Sequence, residues 1–119
     1  MPFKSLMSEK PPFPAPISSF PRADIPLEGV SAWLLQGEKA GQVVFAHFEK
    51  DTPVAEHSHG AQLEIVMAGE VELTMDGRTQ TYRKGEHFAI PSGRPHSALV
   101  RAGYRAVIVF EERDRYKPV

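Results

Sequence analysis

The sequence predicts an all-β fold of the sandwich or barrel class, and three features indicate it. All nine glycines fall after residue 27, and they separate short runs rich in β-branched and aromatic residues at intervals of about 8 to 10 residues. The pair Asp76-Gly77 between two such runs is typical of a hairpin, because a type I′ turn requires positive φ at both central residues. No segment has the periodicity of a helix longer than one turn.

Nine strands are predicted in chain order, with further tight turns at Gly69-Glu70 and Ala102-Gly103. The strands cover residues 30–35, 42–48, 55–59, 63–68, 71–75, 79–83, 87–90, 96–101 and 104–111. Strands joined by short turns pair antiparallel, and closing them into a barrel or a double sheet removes exposed edges. Residues 111–117 are highly charged, and we expect them to be solvated.

The chain is predicted to divide near residue 27 into an arm and one domain. Seven of the eleven prolines lie within residues 1–26, where their fixed φ and missing N–H exclude a central strand or a helix interior. Apolar residues in this segment favour an extended arm that lies on the domain or on a partner subunit, namely Phe3, Phe13, Ile17 and Phe20. A disordered leader is the alternative. We assign residues 1–26 to a proline-rich N-terminal arm and residues 27–119 to a single β-barrel domain.

The composition excludes several classes of partner and site. The net charge is -1, with 14 basic and 15 acidic residues, whereas a nucleic-acid partner requires a basic face. No run approaches the roughly 20 apolar residues of a membrane span, and no signal peptide is visible. Because there are no cysteines, a metal would have to be held by histidine, carboxylate or amide groups. The lack of cysteine also fits a cytoplasmic location, which we expect.

Histidines at alternate positions give the first chemical signal. His57 and His59 lie in a predicted strand, where residues i and i+2 point to the same face, so both imidazoles can approach one ion. If the next strand starts near residue 62, Gln62 and Glu64 share a face of it, and antiparallel pairing would bring an oxygen ligand toward the two imidazoles. A histidine pair of this kind is weak evidence for a metal site by itself.

A second signal lies in the segment from Gly85 to His96. Here a strand ends at Pro91, a turn containing Gly93 reverses the chain, and His96 begins the next strand. The turn explains the proline and the glycine structurally. A single histidine such as His96 is more often an ordinary polar residue than a ligand.

Taken together, these two segments resemble the cupin family. The first cupin motif is G-x5-H-x-H-x3,4-E-x6-G, and the chain matches it at His57, His59 and Gly69, with Asp51 at the opening glycine position. The second is G-x5-P-x-G-x2-H-x3-N, which matches from Gly85 to His96 and departs at Val100, where the family has asparagine. The resemblance covers roughly residues 30 to 110.

The resemblance implies a double-stranded β-helix, or jelly-roll barrel, that holds one divalent transition metal through His57, His59 and His96. The fourth ligand is ambiguous: counting forward from His59 gives Glu64, and counting back from Gly69 gives Gln62. We favour Gln62, because the strand register up to the Gly69 turn is the stiffer constraint. Glu64 would then lie deeper, as a general base or as a hydrogen-bonded interior carboxylate. Zn, Ni, Mn, Fe and Co all suit such ligands.

The two motifs indicate the activity of the chain much less specifically than they indicate its fold. We expect a metal-binding cupin that acts on a small polar organic molecule by oxygenation or isomerisation, with a non-catalytic ligand-binding or sensing module as the alternative. A third hypothesis is a stable dimer with a structural role, in which the bound metal takes no part in a reaction. Candidate substrate-pocket residues are Phe45, His47 and Arg94, of which the arginine suits an anionic group.

Oligomerisation is indicated by the face opposite the predicted site. If Gln62 and Glu64 face inward, then Leu63, Ile65 and Met67 face outward, and an apolar outer stripe requires cover. A dimer partner or the arm would supply it. The resemblance to the cupins also implies a homodimer.

Overall fold

Nine antiparallel strands form two sheets in the computed structural model, which describes residues 12–119. The strands are β1 (Val30–Gln36), β2 (Gln42–Phe48), β3 (Thr52–His57), β4 (Gln62–Ala68), β5 (Glu70–Met75), β6 (Arg78–Arg83), β7 (His87–Ile90), β8 (His96–Val100) and β9 (Tyr104–Phe110). One sheet has the order β1-β2-β9-β4-β7, and the other has the order β3-β8-β5-β6. This is the predicted all-β, jelly-roll arrangement.

The interior lies between the two sheets and is built by the two-residue period of the strands. In β2 the side chains of Val44, Ala46 and Phe48 are buried, whereas Val43 and Phe45 between them face outward and are only half-buried. Each large apolar side chain that is fully buried contributes about 1.5–3 kcal/mol to stability. The same alternation leaves one end of the interior lined by polar residues, where the candidate site lies.

The turns carry the conformations that the sequence predicts. Asp76 and Gly77 have φ of 56° and 74°, as a type I′ hairpin between β5 and β6 requires. Gly69, between β4 and β5, has φ of 74°, and a Cβ there would lie 2.9 Å from Cα of Tyr104. Glycine is therefore needed at this turn both for its backbone angle and for the close approach of β9.

Eight of the nine predicted strands agree with the structure to within one residue at each end, and the exception is the strand before the candidate site. The prediction of a strand over residues 55–59 is wrong, because β3 begins at Thr52 and ends at His57. Its partner strand β8 begins at His96, which pairs with His57. Beyond that pair no ladder partner is present, so Ser58 and His59 lie in a loop.

The described part of the N-terminal arm packs on the outer side of the first sheet. Phe13 is buried, and its ring lies 6.0 Å from that of Trp33 and 5.7 Å from that of Phe45. After a single 3-10 turn at Ile17–Ser19, Ala23 is also buried. Residues 1–11, with Phe3 among them, lie outside the described residues. The division of the chain near residue 27 stays a prediction. Among residues 12–119, no helix is long and apolar enough to cross a membrane.

Candidate metal centre

Three histidines from two strands and a loop meet at one end of the interior. His57 ends β3, His96 begins β8 directly opposite it, and His59 follows in the loop after β3. Their ring centroids are 4.4 to 5.1 Å apart. One ring nitrogen of each lies within 4.8 Å of the other two. The grouping expected from the sequence is present, although a loop rather than a strand places His59.

The loop that carries His59 is held in place by backbone hydrogen bonds. The N–H of Gly93, in the turn between β7 and β8, donates to the carbonyl of His59 over 2.8 Å. On the other side, the N–H of Gly60 donates to Oε1 of Glu112 over 3.0 Å. The turn of the second motif therefore positions a histidine of the first motif as well as its own His96.

Each imidazole is fixed in orientation by a backbone carbonyl. Nδ1 of His57 lies 2.8 Å from the carbonyl oxygen of Ala55, and Nδ1 of His96 lies 2.8 Å from that of Arg94. Nδ1 of His59 lies 2.7 Å from the carbonyl oxygen of Gly60. Because a carbonyl only accepts, each Nδ1 must carry the proton and donate. In the neutral rings, all three Nε2 atoms are then left with a free lone pair.

Burial keeps two of these rings neutral. It lowers the pKa of His59 and of His96 below the usual value of 6.5, although the carbonyl bonded to each ring opposes the shift. The positive charge of Arg115 adds to the lowering at both rings. Neutral imidazole is the form that binds a metal, so the site favours ligation at neutral pH.

A hydrogen-bonded chain of three residues lies beside the histidines. Nε2 of Gln62 donates to Oε1 of Glu64 over 2.8 Å, and the hydroxyl of Tyr104 donates to the other carboxylate oxygen, Oε2. Glu64 is buried, and its oxygens are not part of the three-histidine group. Because its Nε2 is engaged, Gln62 has its own oxygen available.

The same chain carries the strongest electrostatic perturbations of the interior. Burial raises the pKa of Glu64 to about 7, although the hydrogen bonds from Tyr104 and Gln62 oppose the shift. Burial, reinforced by the Glu64 carboxylate, raises the pKa of Tyr104. Tyr104 is therefore a donor at all physiological pH values, and Glu64 changes its charge near neutrality.

A cavity leads from the histidines into the barrel. Its polar end holds His57, His59, His96, Gln62, Glu64, Tyr104 and Arg115. The remaining walls are largely apolar, with contributions from Val54, Val71, Leu73, Phe88, Ile90 and Ile108. Such a cavity suits a small molecule with an apolar body and a polar end.

The three expected substrate-pocket residues do not line this cavity. Phe45 and His47 alternate with the buried residues of β2 and therefore face away from the cavity. Phe45 instead contacts the arm through Phe13 and Phe20. Arg94 lies outside the cavity, where Nη1 pairs with Oδ2 of Asp76 over 2.6 Å at the surface.

Two residues of the C-terminal segment were missed by the sequence reasoning. Arg115 and Tyr116 line the cavity and are half-buried, which corrects the expectation that residues 111–117 are solvated. Tyr116 is tied to β2, because its N–H donates to Oε1 of Gln42 and its carbonyl accepts from Nε2 of Gln42. No local pattern marks this contact. The sequence feature that pointed to this contact is Tyr116 itself, an aromatic residue within a charged run.

These residues fit a transition metal. Three imidazole nitrogens with an amide oxygen are borderline ligands that suit Zn, Ni, Mn, Fe or Co. The carbonyls that hold each Nδ1 are the outer partners that metal-bound histidines usually have. One ring nitrogen of each histidine lies within 4.8 Å of the other two, which is close enough for all three to bind one ion.

Comparisons with known proteins agree with this arrangement. The family model for the cupin domain matches residues 41–110. A comparison with curated proteins found no match. Among solved structures, an RmlC-like cupin from Shewanella frigidimarina is 22% identical with a TM-score of 0.69, over 80% of this chain and 86% of that one.

Two further structures are similar in fold. KdgF from Halomonas sp. is 18% identical with a TM-score of 0.66, over 77% of this chain and 87% of that one. Salicylate 1,2-dioxygenase from Pseudoaminobacter salicylatoxidans is 19% identical with a TM-score of 0.65, over 73% of this chain but only 26% of its own. The family model covers more than half of the 119 residues, and the fold and the two motifs agree with it, so the chain belongs to the cupin domain family.

Proposed function

We propose that the chain is a metal-binding cupin that acts on a small polar organic molecule by oxygenation or isomerisation. His57, His59, His96 and Gln62 would hold one divalent transition metal. The observation that carries the proposal is that one ring nitrogen of each histidine lies within 4.8 Å of the other two, while a backbone carbonyl beside each Nδ1 leaves the Nε2 lone pair free. When bound, such an ion supplies a Lewis acid that polarises a substrate oxygen.

Glu64 is the proposed proton-transfer residue. It lines the cavity, and a pKa of about 7 lets a carboxyl group both take and release a proton near neutrality. The second candidate function, a non-catalytic small-ligand-binding module, is favoured by one specific observation. Both carboxylate oxygens already accept hydrogen bonds from Tyr104 and Gln62, as expected for a group that only orients its neighbours.

The test of the metal proposal is elemental analysis of purified protein. We expect about one transition metal per chain in the wild type and its loss in a His57→Ala/His96→Ala double variant. The matched control is His47→Ala/His87→Ala, which removes two imidazoles that lie outside the cavity. Wild-type protein that stays metal-free after reconstitution, or equal metal content in the two double variants, would refute the proposal.

We also propose that the chain is a cytoplasmic homodimer. Five apolar residues lie side by side on the outer face of the first sheet, one on each strand. Each is paired in register with the next, in the order Leu35, Val43, Val109, Leu63 and Ala89. We call these five residues the outer apolar row. Leu35 is 50% exposed, and Leu63 and Val109 are nearly 40% exposed. The arm covers Phe45 and Trp33 beside the row, so a second copy is the proposed cover for the remainder.

A further inference from the structure

Arg115 lines the cavity and forms no ion pair with a carboxylate among residues 12–119. Five ion pairs form among residues 12–119, and none of them involves Arg115. Its Nε is buried and has no hydrogen-bond partner within that range. Leaving a buried guanidinium donor unpaired costs free energy, so the position of Arg115 needs a compensating interaction.

The guanidinium is nevertheless held in place by aromatic rings. Its Cζ lies 4.6 Å from the ring centre of Tyr116 and 5.8 Å from that of Phe110, distances typical of cation–π contacts. Tyr116 is itself fixed to β2 by the two hydrogen bonds with Gln42. Since Nε is buried while the residue is only half-buried, the accessible part of Arg115 is the end that carries the two Nη groups.

The one carboxylate that shares the cavity, Glu64, forms no ion pair with Arg115 among residues 12–119. Both oxygens of Glu64 are bonded to Tyr104 and Gln62, and the histidines contribute no negative charge. A divalent ion at the histidines would add to the positive charge of Arg115. The guanidinium of Arg115 is therefore left for an anion from outside the chain, whereas much of the cavity lining is apolar.

We propose that Arg115 determines substrate specificity by binding the carboxylate of a small organic acid whose apolar body lies against the barrel walls. The fork of Nη donors matches the two oxygens of a carboxylate. The apolar body would contact residues such as Val54, Leu73 and Ile108. The inference deepens the proposed function and rests on it for the role of the metal. The contact between Arg115 and the carboxylate itself requires no ion.

The test compares butyrate with its neutral isostere butyramide. Binding is measured by ligand-detected NMR titration in metal-free and in zinc-reconstituted protein. We expect wild-type protein to bind butyrate at least about tenfold more tightly than butyramide, since hydrogen bonds to charged groups contribute that much. Arg115→Gln should lose about tenfold to a hundredfold in butyrate affinity and little in butyramide affinity. Arg115→Lys, which keeps the charge but not the fork, should fall between the two.

The matched control is Lys117→Gln, which removes the same charge from an exposed position two residues further on. It should bind butyrate as the wild type does. Equal affinity for butyrate and butyramide, no binding of butyrate to wild-type protein, or an unchanged butyrate affinity in Arg115→Gln would each overturn the inference. Failure of the metal proposal is distinguishable, because it would appear as absent zinc while the dependence of butyrate binding on Arg115 persists in metal-free protein.

Discussion

At His57, His59 and His96 the backbone decides which ring nitrogen is available. Each Nδ1 is held by a carbonyl one or two residues away in sequence, so the tautomer follows from local chain geometry rather than from a distant partner. Gln62 and Glu64 differ from the histidines in this respect. Their orientation depends on Tyr104, which lies forty residues further along the chain.

The identity of the fourth ligand can be decided by two single variants. We expect Glu64→Gln to weaken zinc affinity by about tenfold, because outer partners of metal ligands typically contribute 10- to 100-fold. Gln62→Leu, which removes a proposed ligand, should weaken it by about a hundredfold or more, beyond the range of an outer partner. Competition with a chromogenic chelator measures both affinities. A larger loss in Glu64→Gln than in Gln62→Leu would instead identify Glu64 as the ligand.

Glu64 makes the stability of the metal-free protein depend on pH. Its pKa is raised from 4.5 to about 7 in the folded state, so folding favours the protonated form. The contribution of Glu64 to stability is then fully present below pH 4.5, and it is lost as the pH rises through this window to about 7. At 1.36 kcal/mol per pKa unit, the loss is on the order of 3 kcal/mol.

Urea unfolding of metal-free protein at several pH values between 4.5 and 8 measures this loss. Glu64→Gln should remove it, since the amide keeps the shape of the group without the titration. Glu56→Gln, at an exposed position on β3, is the control for the removal of one carboxylate. An identical pH slope in wild type and Glu64→Gln would contradict the prediction.

At the scale of elements, two short connections bring the site together. The turn between β7 and β8 presents His96 and holds the loop of His59 through Gly93. The turn between β4 and β5 brings Gly69 against the start of β9, where Tyr104 lies. Gly69 is not one of the candidate ligands, but its close approach to the backbone of Tyr104 constrains the position of the hydroxyl that donates to Glu64.

Two glycine variants distinguish the stability cost of a positive φ from the stability cost of a steric clash with a neighbouring strand. Gly69 and Gly77 both have φ of +74°, but a Cβ at Gly77 meets nothing within 4 Å. Each change to alanine should cost about 1–2 kcal/mol for the left-handed conformation. Gly69→Ala should cost about 1–3 kcal/mol more, because the backbone of Tyr104 must move. Chemical denaturation measures both, and equal losses would contradict the role given to this contact.

At the scale of the whole molecule, the two faces of the first sheet have different partners. The inner face closes the barrel over the cavity, and the outer face divides between the arm and the outer apolar row. Ile65 and Met67, which are 37% and 46% exposed, extend the uncovered area along β4. An apolar area of this extent is costly to expose to water.

The homodimer can be tested by placing a charge in the outer apolar row. Leu63→Lys should convert a dimer to a monomer in sedimentation velocity experiments, because burying an unpaired ammonium group at an interface costs several kcal/mol. Thr79→Lys, at an exposed position on the second sheet, should leave the dimer intact. A monomeric wild type, or a Leu63→Lys variant that sediments as the wild type does, would refute the proposed interface.

The sequence by itself determined eight of the nine strands, the hairpin turns and the three histidines that meet at one end of the interior. Alternation of apolar residues and the glycine turns are local signals, so eight strands were predicted to within one residue. The paired motifs brought His57, His59 and His96 together because motif spacing encodes strand pairing. Strand alternation also predicted correctly that Leu63, Ile65 and Met67 face outward.

Only the tertiary structure decided what surrounds those histidines. The facing of Phe45 and His47 depends on which side of β2 meets the second sheet, and period-two alternation alone does not say which side is inside. The end of β3 at His57 depends on where its partner β8 begins. Tyr104 and Arg115 reach the cavity through pairings of β9 and of the C-terminal segment with residues far away in sequence. Contacts of this range leave no local pattern, because they arise only when the barrel closes.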